Sequence, residues 1–139
     1  MRLYLDANLI VYSVEGPPQL KEFCLARLRE VDAQPAGSLV ASRLSRVEVL
    51  VKPIRLRDAE RIARFEGFFT RREVDLVDVS NEIVERALAL RVKTTLKLVD
   101  ALHVATAIEH HATVFLTGDK EIAALGKIET VSFELIPVA

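Results

Sequence analysis

The stretch from Leu96 to Ala107, LKLVDALHVATA, constrains this chain most. Apolar residues run almost all the way round a helix here, which calls for protein cover on both faces. Asp100 nevertheless falls in its first turn. A carboxylate in such surroundings is costly to bury unless a cation meets it. The remaining sequence is best read by asking what else converges on Asp100.

At 139 residues and 50% apolar content, the chain is expected to form one domain over residues 1–139, with a core that needs no staples. One cysteine, Cys24, excludes an internal disulfide, and its helix-forming neighbours make it a small buried hydrophobe. The opening MRLYLD loses its apolar run at Asp6, so neither a secretory signal nor a membrane span is expected. A soluble, cytoplasmic protein with no membrane partner follows as the expectation. A formal net charge of -1 lacks the basic excess that often marks nucleic-acid binding, without forbidding it.

In chain order, Leu3 to Leu5 reads as a buried strand that delivers Asp6 at its end, with Asn8 capping a short helix through about Tyr12. Open α/β sheets place ligand-binding groups at such strand ends. After Gly16-Pro17-Pro18, the residues Leu20, Phe23, Cys24, Leu28 and Val31 fall at helical spacing, and that helix stops before Pro35. A second strand, Ser38 to Ala41, leads into a helix capped by Ser42. Leu44, Val47 and Val51 form its apolar stripe, with Glu48 on the same side, and Pro53 ends it. Glu48 can equally lie at the stripe's edge and pair with Arg46 or Lys52.

An amphipathic helix is expected from Arg57 to Arg72, its apolar side made of Ile62, Phe65, Phe68 and Phe69. Its arginines alternate with Asp58, Glu60 and Glu66, the pattern of a solvated face laced with ion pairs. A strand over Val74 to Val79 and a helix over Asn81 to Arg91 follow. Thr94 and Thr95 then offer an N-cap for the helix of Asp100, whose position near the positive end of the dipole favours an ionised carboxylate. His103, one turn on, suits a packed histidine with a local hydrogen bond better than a metal ligand, because no cysteine or well-spaced histidine completes a soft-metal set. His110 and His111 suit the helix C-terminus. Finally Thr113 to Asp119, TVFLTGD, repeats the pattern of Asp6: an apolar run ending in a carboxylate, with Thr117 supplying a hydroxyl and Gly118 room for close approach. A short closing strand through Val131, Phe133 and Leu135 is expected.

Asp6, Glu48, Asp100 and Asp119 thus form a constellation of acids at element ends or on an apolar stripe. Any one alone could be a helix cap. Gathered in one cleft they would repel and partly protonate unless a hard divalent cation neutralised them. Oxygen-only ligation selects Mg2+ or Mn2+ over zinc.

At these residues the sequence resembles the PIN-domain ribonucleases, and most closely the VapC toxins of prokaryotic toxin-antitoxin pairs. The matching pieces are LYLDANLIVY, the Ser42 to Glu48 helix with EVLVKP, LVDALHVATA and FLTGDKE, in the expected order across nearly the whole chain. The resemblance implies a three-layer α/β/α sandwich around a mainly parallel sheet, with Asp6, Glu48, Asp100 and Asp119 as the acidic metal-site residues. It further implies support from Thr117 and Asn8, an RNA substrate, a homodimer, and a cognate VapB-type antitoxin seated on apolar surface of the first helices. Gly118 departs from the polar residue the family often has there. Arg43, Arg46, Lys52, Arg55, Lys93, Lys97 and Lys120 are the candidate phosphate-guiding cations.

Two other readings compete. A haloacid-dehalogenase-like phosphatase would use Asp6 as nucleophile but needs a second acid where Asn8 stands, and leaves Glu48 and Asp100 without a role. A non-catalytic PIN scaffold or receiver-like binding module would have lost carboxylates or gained adjacent acids after the first strand, and neither is found.

Overall fold

The computed structural model describes residues 1–137. In chain order it contains β1 (Arg2–Leu5), α1 (Ala7–Glu15), α2 (Pro18–Asp32), β2 (Ser38–Ser42), α3 (Leu44–Arg55), α4 (Ala59–Phe69) and β3 (Val74–Val77). There follow α5 (Asn81–Lys93), α6 (Leu98–Glu109), β4 (Val114–Thr117), α7 (Lys120–Ala123), β5 (Lys127–Ile128) and β6 (Val131–Leu135). The sheet order is β3-β2-β1-β4-β6-β5, parallel except where β5 pairs antiparallel with β6.

The central strands are continuous apolar runs because helices cover both faces of the sheet. Successive side chains alternate between those faces. Leu3, Leu5, Leu39, Ala41 and Leu116 join one core with α1, α2, α3 and α4. Tyr4, Val40, Phe115 and Phe133 join the other with α5 and α6. The chain is a three-layer α/β/α sandwich, as the sequence led one to expect. No helix among the described residues is long and apolar enough to cross a membrane.

Several element ends differ from the sequence reading, each for a local reason. Asp6, not Asn8, caps α1: its side chain accepts from the Leu9 amide at 3.0 Å, and Asn8 lies exposed at the second helical position. Ser42 is the last residue of β2 and not the N-cap of α3, a position taken by Arg43, although its hydroxyl accepts from the Leu44 amide at 3.1 Å. Pro53 does not stop α3, which runs on to Arg55. Proline removes one amide from the last turn, while the Leu56 amide still reaches the Lys52 carbonyl. Beyond the C-cap Leu56, the chain turns away at Arg57, whose φ of 52° is left-handed, with the Asp58 amide bonded back to the Pro53 carbonyl. His111 does the same for α6 at φ 56°, so its service to the helix end is through the backbone.

Thr94 caps the C-terminal end of α5 instead of opening α6, which starts at Leu98 after Lys97. The helix of Asp100 is therefore not covered all round. Leu98 is 55% exposed, and with Val84, Leu88, Val92 and Leu102 it lines an open apolar cavity of about 310 Å³ between α5 and α6. The α4 face behaves as its charge pattern indicates: Arg61 pairs with Glu15 at 2.7 Å, and Arg64 with Glu60. On α1 and α2 the apolar side chains are buried or pack against the core, and the exposed ones gather instead on α3, α5 and α6. Val11, Tyr12, Val14, Leu20, Phe23 and Leu25 on the first two helices remain half-buried.

Candidate functional site

Parallel pairing sets the C-terminal ends of β1, β2 and β4 along one edge. The chain leaves β1 for β2 on one side and returns to β4 on the other, so a crevice opens where the strand order reverses. Asp6 follows β1 directly, and Asp119 follows β4 with Gly118 alone between it and Thr117. Glu48 rides on α3, which leaves the end of β2. Asp100 lies in the first turn of α6, which precedes β4 and so begins at the same edge.

Asp6 is 7% exposed, and its carboxyl is pushed up to about 6, first by burial and then by the neighbouring charges of Glu48 and Asp100. The Leu9 amide and His103 oppose that rise. The Asp100 carboxyl is also held above its ordinary range, by burial first and next by Asp119, with Glu48 adding to it and His103 and Lys97 opposing. These mutual influences put Asp6, Glu48, Asp100 and Asp119 in one electrostatic field.

Glu48 reaches this field by a different route from the one the sequence offered. The buried face of α3 is Ser45, Val49, Leu50 and Pro53, while Val47 and Val51 are 62% and 38% exposed. Glu48 stands at the boundary, its side chain 29% exposed, and its Oε1 lies 2.6 Å from His103 Nε2. It thus pairs with His103, not with Arg46 or Lys52. His103 is buried on α6, and its Nδ1 lies 2.6 Å from the Tyr4 hydroxyl. Tyr4 is fully buried in the middle of β1, and burial keeps its pKa well above the ordinary tyrosine value. Sequence reasoning passed over Tyr4. Its signal was a phenol in an otherwise aliphatic strand, since a buried tyrosine hydroxyl needs a partner.

At the β4 end, the buried Thr117 hydroxyl accepts from the Asp119 amide at 3.0 Å, and Asp119 Oδ1 accepts from the Glu121 amide at 2.8 Å. A Cβ at Gly118 would meet open space, and its φ is not left-handed, so the backbone there does not require glycine.

The donor set is all oxygen, and crowding makes its ionised form costly. That chemistry fits a hard divalent cation, which lowers carboxyl pKa values by its own charge. Among the described residues no three His, Cys, Asp or Glu side chains are already drawn into a metal-gripping cluster. Asp6, Glu48 and Asp119 are each held instead by a protein hydrogen bond. Of the candidate cations, Lys97 acts on Asp100 directly. Arg46 is committed elsewhere, bonded through both terminal nitrogens to Glu66 and set 5.4 Å over the Phe69 ring. Arg43 lies 3.4 Å from Asp78, and Lys52, Arg55, Lys93 and Lys120 are exposed.

Several solved structures share this architecture. VapBC2 from Rickettsia felis, bound to a DNA fragment from its promoter, is 16% identical with a TM-score of 0.73, covering 97% of this chain and 98% of that one. A toxin-antitoxin complex from Klebsiella pneumoniae is 25% identical with a TM-score of 0.67, covering 94% and 95%. VapC20 from Mycobacterium tuberculosis, a toxin that cleaves the sarcin-ricin loop, is 15% identical with a TM-score of 0.68, covering 94% and 98%. No curated protein matches the sequence. The family model for the PIN domain matches residues 3–128, and the chain therefore belongs to the PIN domain family.

Proposed function

We propose that this chain is a Mg2+- or Mn2+-dependent ribonuclease, the toxin of a VapBC-type pair. The reading is carried by the elements that bear Asp6, Glu48, Asp100 and Asp119 starting or ending at the reversal of strand order, with the Asp6 and Asp100 carboxyls raised by burial and by neighbouring acids. Membership of the PIN domain family and likeness in fold to toxin-antitoxin structures support it.

The four carboxylates would hold the cation. When bound, such an ion acidifies water and offsets charge on a scissile phosphate. The α6 N-terminus and Lys97 add positive potential beside Asp100, which favours the approach of a phosphodiester. Thr117 fixes Asp119 through its amide, and Asp6 is fixed by Leu9. No side-chain nucleophile is needed. With four carboxylates committed to a metal, the remaining charge of the chain is net positive, as RNA binding favours.

Two apolar surfaces support the partners. The α5 and α6 cavity suits a second copy of the chain. The groove along α3, about 460 Å³ and lined by Val47, Leu50, Val51, Ile54 and two arginines, suits an antitoxin segment, because α3 also carries Glu48.

The test is cleavage of a structured RNA by the purified, antitoxin-free protein with Mg2+ or Mn2+. Loss of cleavage in EDTA is expected, and cleavage unchanged by EDTA would overturn metal dependence. Turnover of a small phosphomonoester with phosphorylation of Asp6, and no cut RNA, would overturn the nuclease reading.

A further inference from the structure

Glu48 stands on a partly exposed face of α3, where a long acidic side chain ordinarily turns to solvent. In this protein His103 Nε2 holds its Oε1 at 2.6 Å across a sequence separation of 55 residues. His103 is 3% exposed, and its other ring nitrogen is taken by the Tyr4 hydroxyl at 2.6 Å. Tyr4 in turn is locked by stacking on Phe115, with ring centroids 4.9 Å apart. We propose that His103, backed by Tyr4, is a positioning residue that aims the Glu48 carboxylate into the metal site. The inference rests on the metal-nuclease reading above and extends it to side chains that touch neither metal nor RNA.

Nε2 of His103 faces Glu48 Oε1 and Nδ1 faces the Tyr4 hydroxyl, so both ring nitrogens are satisfied. The bond occupies Oε1 and leaves Oε2 as the oxygen that can meet a cation.

The connectivity explains why these two residues are suited to the task. Tyr4 lies on β1, two residues before Asp6, and His103 lies on α6, one turn after Asp100. The Tyr4–His103–Glu48 chain therefore ties α3, from one face of the sheet, to the two elements that carry Asp6 and Asp100 on their own backbone. Ligating carboxylates that are themselves hydrogen-bonded hold metal more tightly, and loss of such an outer partner typically costs about 10–100-fold in affinity.

The experiment is a Mn2+ titration of the purified chain, reading free Mn2+ by electron paramagnetic resonance, with the melting temperature of each metal-free protein recorded alongside. His103→Leu is expected to weaken Mn2+ binding by about 10-fold or more. His103→Gln, whose amide nitrogen lies near the position of Nε2, is expected to recover most of that loss. His103→Asn, whose amide reaches only the Nδ1 position, is expected to behave like His103→Leu and replaces it if the leucine variant does not fold. Equal binding by His103→Gln and His103→Asn overturns the positioning role, since a merely structural histidine would not distinguish them. Wild-type affinity in His103→Asn beside weakened binding in Glu48→Gln overturns it while sparing the metal site. No Mn2+ binding by the wild-type chain overturns the metal-site reading itself, and this inference with it.

Discussion

The carboxylate of Asp6 and the amide of Leu9, 3.0 Å apart, make one side chain serve both as the cap of α1 and as a member of the acidic crevice. The cap favours the ionised form, yet burial and the neighbouring acids win, and the carboxyl titrates at about 6 against an ordinary 3.8. The native state therefore binds a proton that the unfolded chain has already released. Stability from this group is full below the unfolded value and is lost as pH rises through about 6. The two-unit rise corresponds to about 3 kcal/mol against the metal-free fold at pH 8.

In denaturant titrations without metal, the midpoint is accordingly expected to climb as pH falls from 8 to 5. Asp6→Asn, which keeps the cap, is expected to flatten that climb and to be more stable at pH 8 by about 1–3 kcal/mol. A midpoint that instead falls steadily over this range contradicts the raised carboxyl. Glu15, Glu66 and Glu73 act with the opposite sign. Their carboxyls are held low by Arg61, Arg46 and Arg71, so their contribution is present above the unfolded carboxyl value and is lost as pH falls through the lowered one.

Asp100→Asn is expected to lower RNA cleavage by about 100-fold or more while leaving the metal-free melting temperature unchanged or raised, since it removes a partly buried charge among acids. Cleavage rate and thermal melting on one preparation check both halves. A fall in activity accompanied by unfolding would show Asp100 to be structural.

Thr117→Val should cost about 1–3 kcal/mol, because the Asp119 amide loses its acceptor in a buried setting. Thr117→Ser, which keeps the hydroxyl, should restore most of that. Urea unfolding midpoints of the two variants provide the comparison.

Val92, 78% exposed on α5, and Leu88, 60% exposed, make few demands on the fold of the single chain. Changing both to Glu is expected to leave the unfolding free energy within about 1 kcal/mol, yet to abolish the dimer proposed above, leaving a monomer in sedimentation. A double variant that sediments like the wild type would overturn the proposed contact through α5 and α6.

Much of the architecture was legible because apolar runs that stop at Asp6 and Asp119 are strong local signals. They locate strand ends without any knowledge of partners. Glu48 was found by way of a stripe that is mostly at the surface, and its inward reach depends on His103, a residue far away in sequence. Periodicity alone could not supply that partner. The caps at Asn8 and at Thr94 and Thr95 were misplaced by one or a few residues, because Asp, Asn, Ser and Thr compete for neighbouring cap positions and tertiary packing chooses among them. The exposed flank of α5 and α6 reads as core in the sequence, since an exposed apolar residue at helical spacing has the same signature as a buried one. The strand β5 is too short to leave a periodic trace.

The place of β1 in the sheet carries a consequence for how the molecule comes into being. β1 is made first, yet it needs β4 beside it, with Leu3 opposite Val114 and the Arg2 amide bonded to the Thr113 hydroxyl across 111 residues. Such distant pairing is slow and cannot start on a partial chain. The crevice that would hold the metal is therefore absent from the nascent polypeptide until α6, β4 and Asp119 have all emerged.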